Sequence, residues 1–304
     1  MTLTREQIDF GSAKNTTISD TAANLMNFFK PINEEGLAVK DFKSTFLGGA
    51  DGYGMVGIGC AGILGFCILF CVIGAFTGMS DNSIYMWNML FFVVIVEFCI
   101  INYIYNKHYI GQHPGAPAAP DKLSSLIMPL IGFLSQDMSD DEEITVKSAL
   151  IPLESGDFEL SDREIKEMGK NLKRGLHVYS GELLELTTRL ADGTNASFVV
   201  NEVLSTVHVH KKHSSDKTSR KEKVTIKAGF AFPANAYSET QEGEFELDEN
   251  TTAVVTASER RVKVVVKKVL SDFTNESDTE ICIPEQKILD GCIDAMAAAY
   301  SVVC

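Results

Sequence analysis

The sequence predicts a membrane protein: a two-helix transmembrane hairpin joined to a mainly antiparallel, sandwich-like β domain with one or two short helices. Three observations predict it. Two apolar runs are each long enough to cross a bilayer, period-two alternation dominates the chain after residue 144, and a Pro/Ala-rich stretch separates the two regions. With 45% hydrophobic and 22% charged residues in 304, the composition is that of a folded chain, excluding disorder and collagen-like repeats. A formal net charge of −14 opposes nucleic-acid binding.

The hairpin covers 53–106. Its first run, 53–77, holds no charge over 25 residues, and about 20 suffice to span the hydrocarbon core. The second, 84–105, holds one acid, Glu97, with Tyr85, Trp87, Tyr103 and Tyr105 near its ends as an interfacial aromatic belt. Only the six residues 78–83 connect the runs, so the helices are antiparallel neighbours. About fifty mostly polar residues precede the first run, unlike a cleaved signal peptide. Arg5, Lys14, Lys30, Lys40 and Lys43 lie before the spans, Lys107 and Lys122 after them, and the loop has no basic residue. The positive-inside rule therefore predicts a two-pass integral membrane protein with both termini cytoplasmic. Seven cysteines without a paired framework fit a reducing compartment.

Within the first span Gly57, Ala61 and Gly65 repeat every four residues, a small-residue stripe for close helix packing, within the hairpin or between copies. Glu97, with Asn102 and Asn88 on the same run, reads as a neutral carboxyl hydrogen-bonded to a neighbouring helix, or else as part of an ion path. Cys67 and Cys71 share a face but have no His or acid beside them to complete a metal site.

Residues 1–52 form an N-terminal arm with an amphipathic helix over 19–30, capped by Ser19 or Asp20 and ended by Pro31. Residues 107–143 comprise a stiff proline-containing linker, an apolar segment over 123–134 too short to span, and an acidic loop. That apolar segment is either interfacial or the first piece of the next core.

The β-rich soluble domain covers 144–304. Alternation predicts strands over 144–151, 177–183, 185–190, 196–210, 223–232, 242–247, 251–256, 260–270 and 279–283. A helix over 162–174 opens on a capping box, Ser161 with Glu164, and stops at Gly175; another covers 285–302. Short strand spacing with turns at Asp192-Gly193 and Asn250 favours an antiparallel sandwich over a βαβ fold.

The order of a Gly181-Glu182 strand, a long strand, a basic hairpin, a strand ending in FAFPANAYS, a Val/Lys strand and a closing TEICIP resembles that of arrestin-like sandwiches over about 110 residues. That resemblance implies an adaptor that binds other proteins. The family's aligned strand usually carries a tryptophan, and 260–270 has none.

Candidate chemistry is sparse. His208 and His210, two apart on a strand, project to one face as a minimal metal pair, but Lys211 and Lys212 oppose a cation there. Lys211, Lys212, Lys217, Arg220, Lys221 and Lys223 crowd one hairpin, and Lys263 and Lys267 alternate with valines further on. In a chain of net −14 this basic set reads as a surface for anionic lipid head groups or an acidic partner, or as charges that discourage edge pairing. No nucleotide-binding, hydrolase, zincin or C-x-x-C motif occurs, so the residues imply no cofactor. The function expected is a non-catalytic, membrane-anchored scaffold or adaptor, as a homo-oligomer or a subunit of a larger membrane complex. The alternatives are a channel or transporter subunit using Glu97, and a tethered enzyme.

Overall fold

Along 261–267, R-V-K-V-V-V-K, valines at the even positions alternate with Arg261, Lys263, Val265 and Lys267, which fits a strand with one dry and one wet face, and a similar alternation recurs through most of the β region. A computed structural model describes residues 3–12, 16–47, 120–151, 153–154, 156–170, 175–209, 217–237, 241–274 and 283–303. The chain divides into two compact units, 1–33 with 117–304, and 34–116.

The first unit is built on one sheet of eight antiparallel strands: β1 (Thr16–Thr21), β2 (Glu143–Ser148), β3 (Leu176–Arg189), β4 (Asn195–Val209), β5 (Lys217–Pro233), β6 (Gly243–Asp248), β7 (Thr251–Ala257) and β8 (Arg261–Thr274). Their spatial order is β1-β2-β3-β4-β5-β8-β7-β6. The helices are α1 (Arg5–Ser12), α2 (Ala22–Leu47), α3 (Met128–Leu134), α4 (Asp162–Glu167) and α5 (Glu285–Ser301).

Helices supply the apolar cover. In α5 the buried residues Ile288, Leu289, Cys292, Ala295, Met296 and Ala299 recur at three and four, one stripe of a 3.6-residue period. They share a core with Val224, Ile226, Ala228 and Phe230 of β5 and Val262, Val264 and Val266 of β8. Gly291 lets α5 approach closely, since a Cβ there would lie 2.6 Å from Cδ1 of Ile226. Ahead of α3 a turn, Pro120–Lys122, runs into a π-helical turn, Leu123–Ile127. Pro129 lacks an N–H and its ring crowds the carbonyl four residues back, which accompanies the wider winding. Leu123, Leu126, Ile127, Leu130, Ile131 and Leu134 are all fully buried, so this apolar segment is core. Phe10 of α1 and Leu25, Phe29 and Ile32 of α2 complete the cluster.

A smaller core, Ala149, Leu153, Phe158 and Leu204, lies beyond a bulge in β3. There the register steps from Glu182↔Asn201 to Leu184↔Val200, leaving Leu183 as the extra residue.

The expected fold class is corrected in both parts. Among the described residues there is one sheet instead of two stacked ones, its dry face covered by helices; alternation along a strand reports one buried face and not what buries it. The two-pass membrane architecture with cytoplasmic termini is not supported, because among the described residues no helix is long and apolar enough to cross a membrane. The longest, α2, carries Lys30, Glu34, Glu35, Lys40, Asp41 and Lys43. The runs 53–77 and 84–105, with Gly57, Ala61, Gly65, Glu97 and Asn102, lie outside the described residues.

Three local expectations change as well. Ser19 and Asp20 belong to β1, where Asp20 accepts hydrogen bonds from the Thr21 N–H and the Asn24 amide. Pro31 sits inside α2, which continues to Leu47. The capping box at Ser161 and Glu164 is present, but α4 closes after one and a half turns on Gly169 at φ 74°.

Candidate functional site

The pleat sorts the sheet's residues onto two faces, and the register identifies each row on the open one. One row crosses all eight strands: Ser19, Thr145, Thr187, Ser197, Gly229, Val265, Val254 and Glu244. Small residues through its middle form a shallow trough of about 540 Å³. Gly229 keeps its floor low: a Cβ there would lie 2.7 Å from Oγ of Ser197, which donates to the Gly229 carbonyl at 3.1 Å.

Lysines flank this trough. Lys221, Lys223 and Lys227 of β5 and Lys263 and Lys267 of β8 share the open face and are exposed. Lys227 stands directly opposite Lys267, an unfavourable cross-strand pairing of like charges. None of the five makes an ion pair or side-chain hydrogen bond among the described residues. Lys147, on the same row as Lys227, is instead neutralised by Glu182 at 2.7 Å and Glu185 at 3.2 Å, and those bonds raise its pKa. Lys170 bonds Oγ of Ser205; burial, reinforced by nearby Lys221 and Lys223, pushes its ammonium below the usual lysine range. The stripe from Lys221 to Lys263 runs along the strands for about 30 Å at ~3.3 Å per residue. Acid is gathered at the sheet's edge, where Glu244, Glu246 and Asp248 of β6 are exposed.

Of the residues singled out in the sequence, Lys221, Lys223, Lys263 and Lys267 come together on this face. Arg220 points to the other face, where it pairs with Glu154. Lys217 opens β5 and His208 lies in β4, while Lys211, Lys212 and His210 lie outside the described residues. Lys227 went unrecognised as a site residue. The alternation K-E-K-V-T-I-K already placed it with Lys221 and Lys223, but its pairing with Lys267 depends on a β5–β8 register that composition does not reveal.

Other buried polar groups fasten the fold. Glu222 accepts the Ile283 N–H at 2.7 Å, tying the entry of α5 to β5. Burial pushes the Glu202 carboxyl above the usual range against the opposing pull of Lys122, and the space beside it, about 10 Å³, leaves no room for a ligand. Among the described residues no group of three metal-ligating side chains occurs.

No family model, no curated protein and no solved structure matches the chain.

Proposed function

We propose that the chain is a non-catalytic scaffold or adaptor whose open sheet face binds an acidic segment of a protein partner. The observation that supports this reading above all is the Lys227–Lys267 pair, like charges held opposite one another without a carboxylate between them. A folded chain retains such a cost where a partner relieves it. The helices packed on the far face fix the backbone that carries the lysines, so a ligand meets a row of ammonium groups on flexible stems rising from one sheet. At physiological salt the screening length is about 8 Å, so these lysines govern the local field despite the net charge of −14.

The test is binding of a fluorescent oligoglutamate peptide to the full chain, before and after the double reversal Lys227→Glu/Lys267→Glu. Surface pairs contribute about 0.2–1 kcal/mol each and reversal adds repulsion, so affinity should fall about tenfold. Rising salt should weaken the wild type and leave the variant nearly flat. Equal peptide binding by both proteins would defeat the proposal. So would vesicles containing phosphatidylserine binding where the peptide does not, which would assign the face to lipid head groups.

A further inference from the structure

At the end of the sheet where the lysine stripe finishes with Lys263, the β3–β4 turn, α3 and α5 line a solvent-open cleft of about 580 Å³, within the range of small-molecule sites. Its walls are apolar: Phe133, Leu190, Ile293, Met296 and Ala297. Its polar groups are Asp137, Asp192 and the hydroxyls of Tyr237 and Tyr300, and the bonds converge on Asp192, a solvent-exposed residue. Its Oδ1 accepts the Thr194 N–H at 2.8 Å, and its Oδ2 accepts the hydroxyls of Thr194 at 2.8 Å and of Tyr237 and Tyr300 at 3.1 Å.

A turn closed by Asp-Gly requires only the Thr194 bonds. The two phenols come from 45 and 108 residues away, and their rings pack against Phe232 at 4.9 and 5.0 Å. They hold the carboxylate rigid at the cavity and add two aromatic faces beside it. No cation answers this charge: among the described residues neither Asp192 nor Asp137, which also lines the cavity, forms an ion pair. Arg261, which bonds the same turn, donates Nη1 to the carbonyls of Gly193 and Ala231.

We propose that this cavity binds an organic cation, a protonated amine on an apolar, aromatic body. The ammonium sits against Asp192 and the tyrosine rings, and the body fills the space between Phe133 and Met296. Calorimetric titration of the full chain with 2-phenylethylamine and with its neutral counterpart 2-phenylethanol tests this. The amine should bind saturably and at least about tenfold more tightly, since a charge-assisted bond contributes about 1.5–3 kcal/mol. Asp192→Asn should bring the two ligands within about threefold of each other. Ala297→Phe, which adds bulk on the α5 wall of the cleft and leaves Asp192 in place, should weaken both, so a folding defect in one variant does not decide the matter. A capped lysine, Nα-acetyl-lysine methylamide, distinguishes the sources: weaker binding than the amine assigns a free small molecule, and equal or tighter binding overturns the aromatic body. Equal affinity for amine and alcohol, or an amine preference that survives Asp192→Asn, would overturn the site itself.

Discussion

Replacing Gly291 by alanine tests how closely α5 sits on the sheet. Alanine in mid-helix is favoured over glycine by about 1 kcal/mol. Its methyl, however, would lie 2.6 Å from Cδ1 of Ile226, roughly 1 Å short of ordinary carbon contact. Ile226 is fully buried, so the clash is relieved only by disturbing a packed core, at about 1–3 kcal/mol. The net expectation for Gly291→Ala is a loss of about 1 kcal/mol. Ile226→Val removes Cδ1 itself and alone costs about 1 kcal/mol. In the double variant the alanine methyl occupies the vacated space, so the clash vanishes and the helix gain remains. The cycle should show about 2 kcal/mol of favourable coupling. Urea unfolding followed by circular dichroism or tyrosine fluorescence measures it; the single tryptophan, Trp87, lies outside the described residues. Additivity within about 0.5 kcal/mol would refute the close approach.

Other outcomes follow from the same structure. A methyl added at Gly132 of α3 would meet nothing within 4 Å, so Gly132→Ala should raise stability by about 0.5–1 kcal/mol in the same assay. Burial pushes the Cys292 thiol up to about 12, and alkylation followed by peptide mass spectrometry at mildly alkaline pH should find it unmodified until urea opens the core. Glu202 has a carboxyl pKa raised chiefly by burial, so the folded state keeps its proton where the unfolded chain has lost it. Its contribution is present below the ordinary value of 4.5 and is lost as pH rises through the raised one. Glu202→Gln should therefore be more stable than wild type at neutral pH, the difference shrinking as pH falls; a difference that grows on acidification would contradict this.

Much of the β region was legible in residue order. Alternation located β4, β7 and β8 to within a few residues, because each has one dry face; it located β6 too, although only Phe245 there is partly covered, and the α5 stripe was equally plain. Expected strands 177–183 and 185–190 proved to be one, β3, since the adjacent Leu183 and Leu184 break the alternation just as a turn would. The strand expected over 279–283 lies mainly outside the described residues. What covers the sheet was not legible: a second sheet and a layer of helices ask the same pattern of a strand. The candidate site was half legible. Sequence grouped Lys221 with Lys223 and Lys263 with Lys267, whereas their union on one face follows from long-range register. Asp192, Tyr237 and Tyr300 carry no local signal at all, the two tyrosines lying 45 and 108 residues from the carboxylate they bond.

The bulge at Leu183 also works as a phase shifter. Before it, even-numbered residues of β3 lie with the odd-numbered residues of β4; after it, even lies with even. It falls where β2 ends, at Ser148, whose hydroxyl donates to the Leu183 carbonyl while the Ala149 N–H bonds the same oxygen at 3.4 Å. Beyond that point β3 stays paired with β4, while its other edge meets Glu159 bridging Tyr179 and the Leu160 N–H bonding the Val178 carbonyl at 2.8 Å, and the small core takes over. One uncounted residue thus lets a continuous strand serve two cores of opposite parity. Deleting it would force one half of β3 to turn its leucines to water, so the strand tolerates substitution there far better than any change of length.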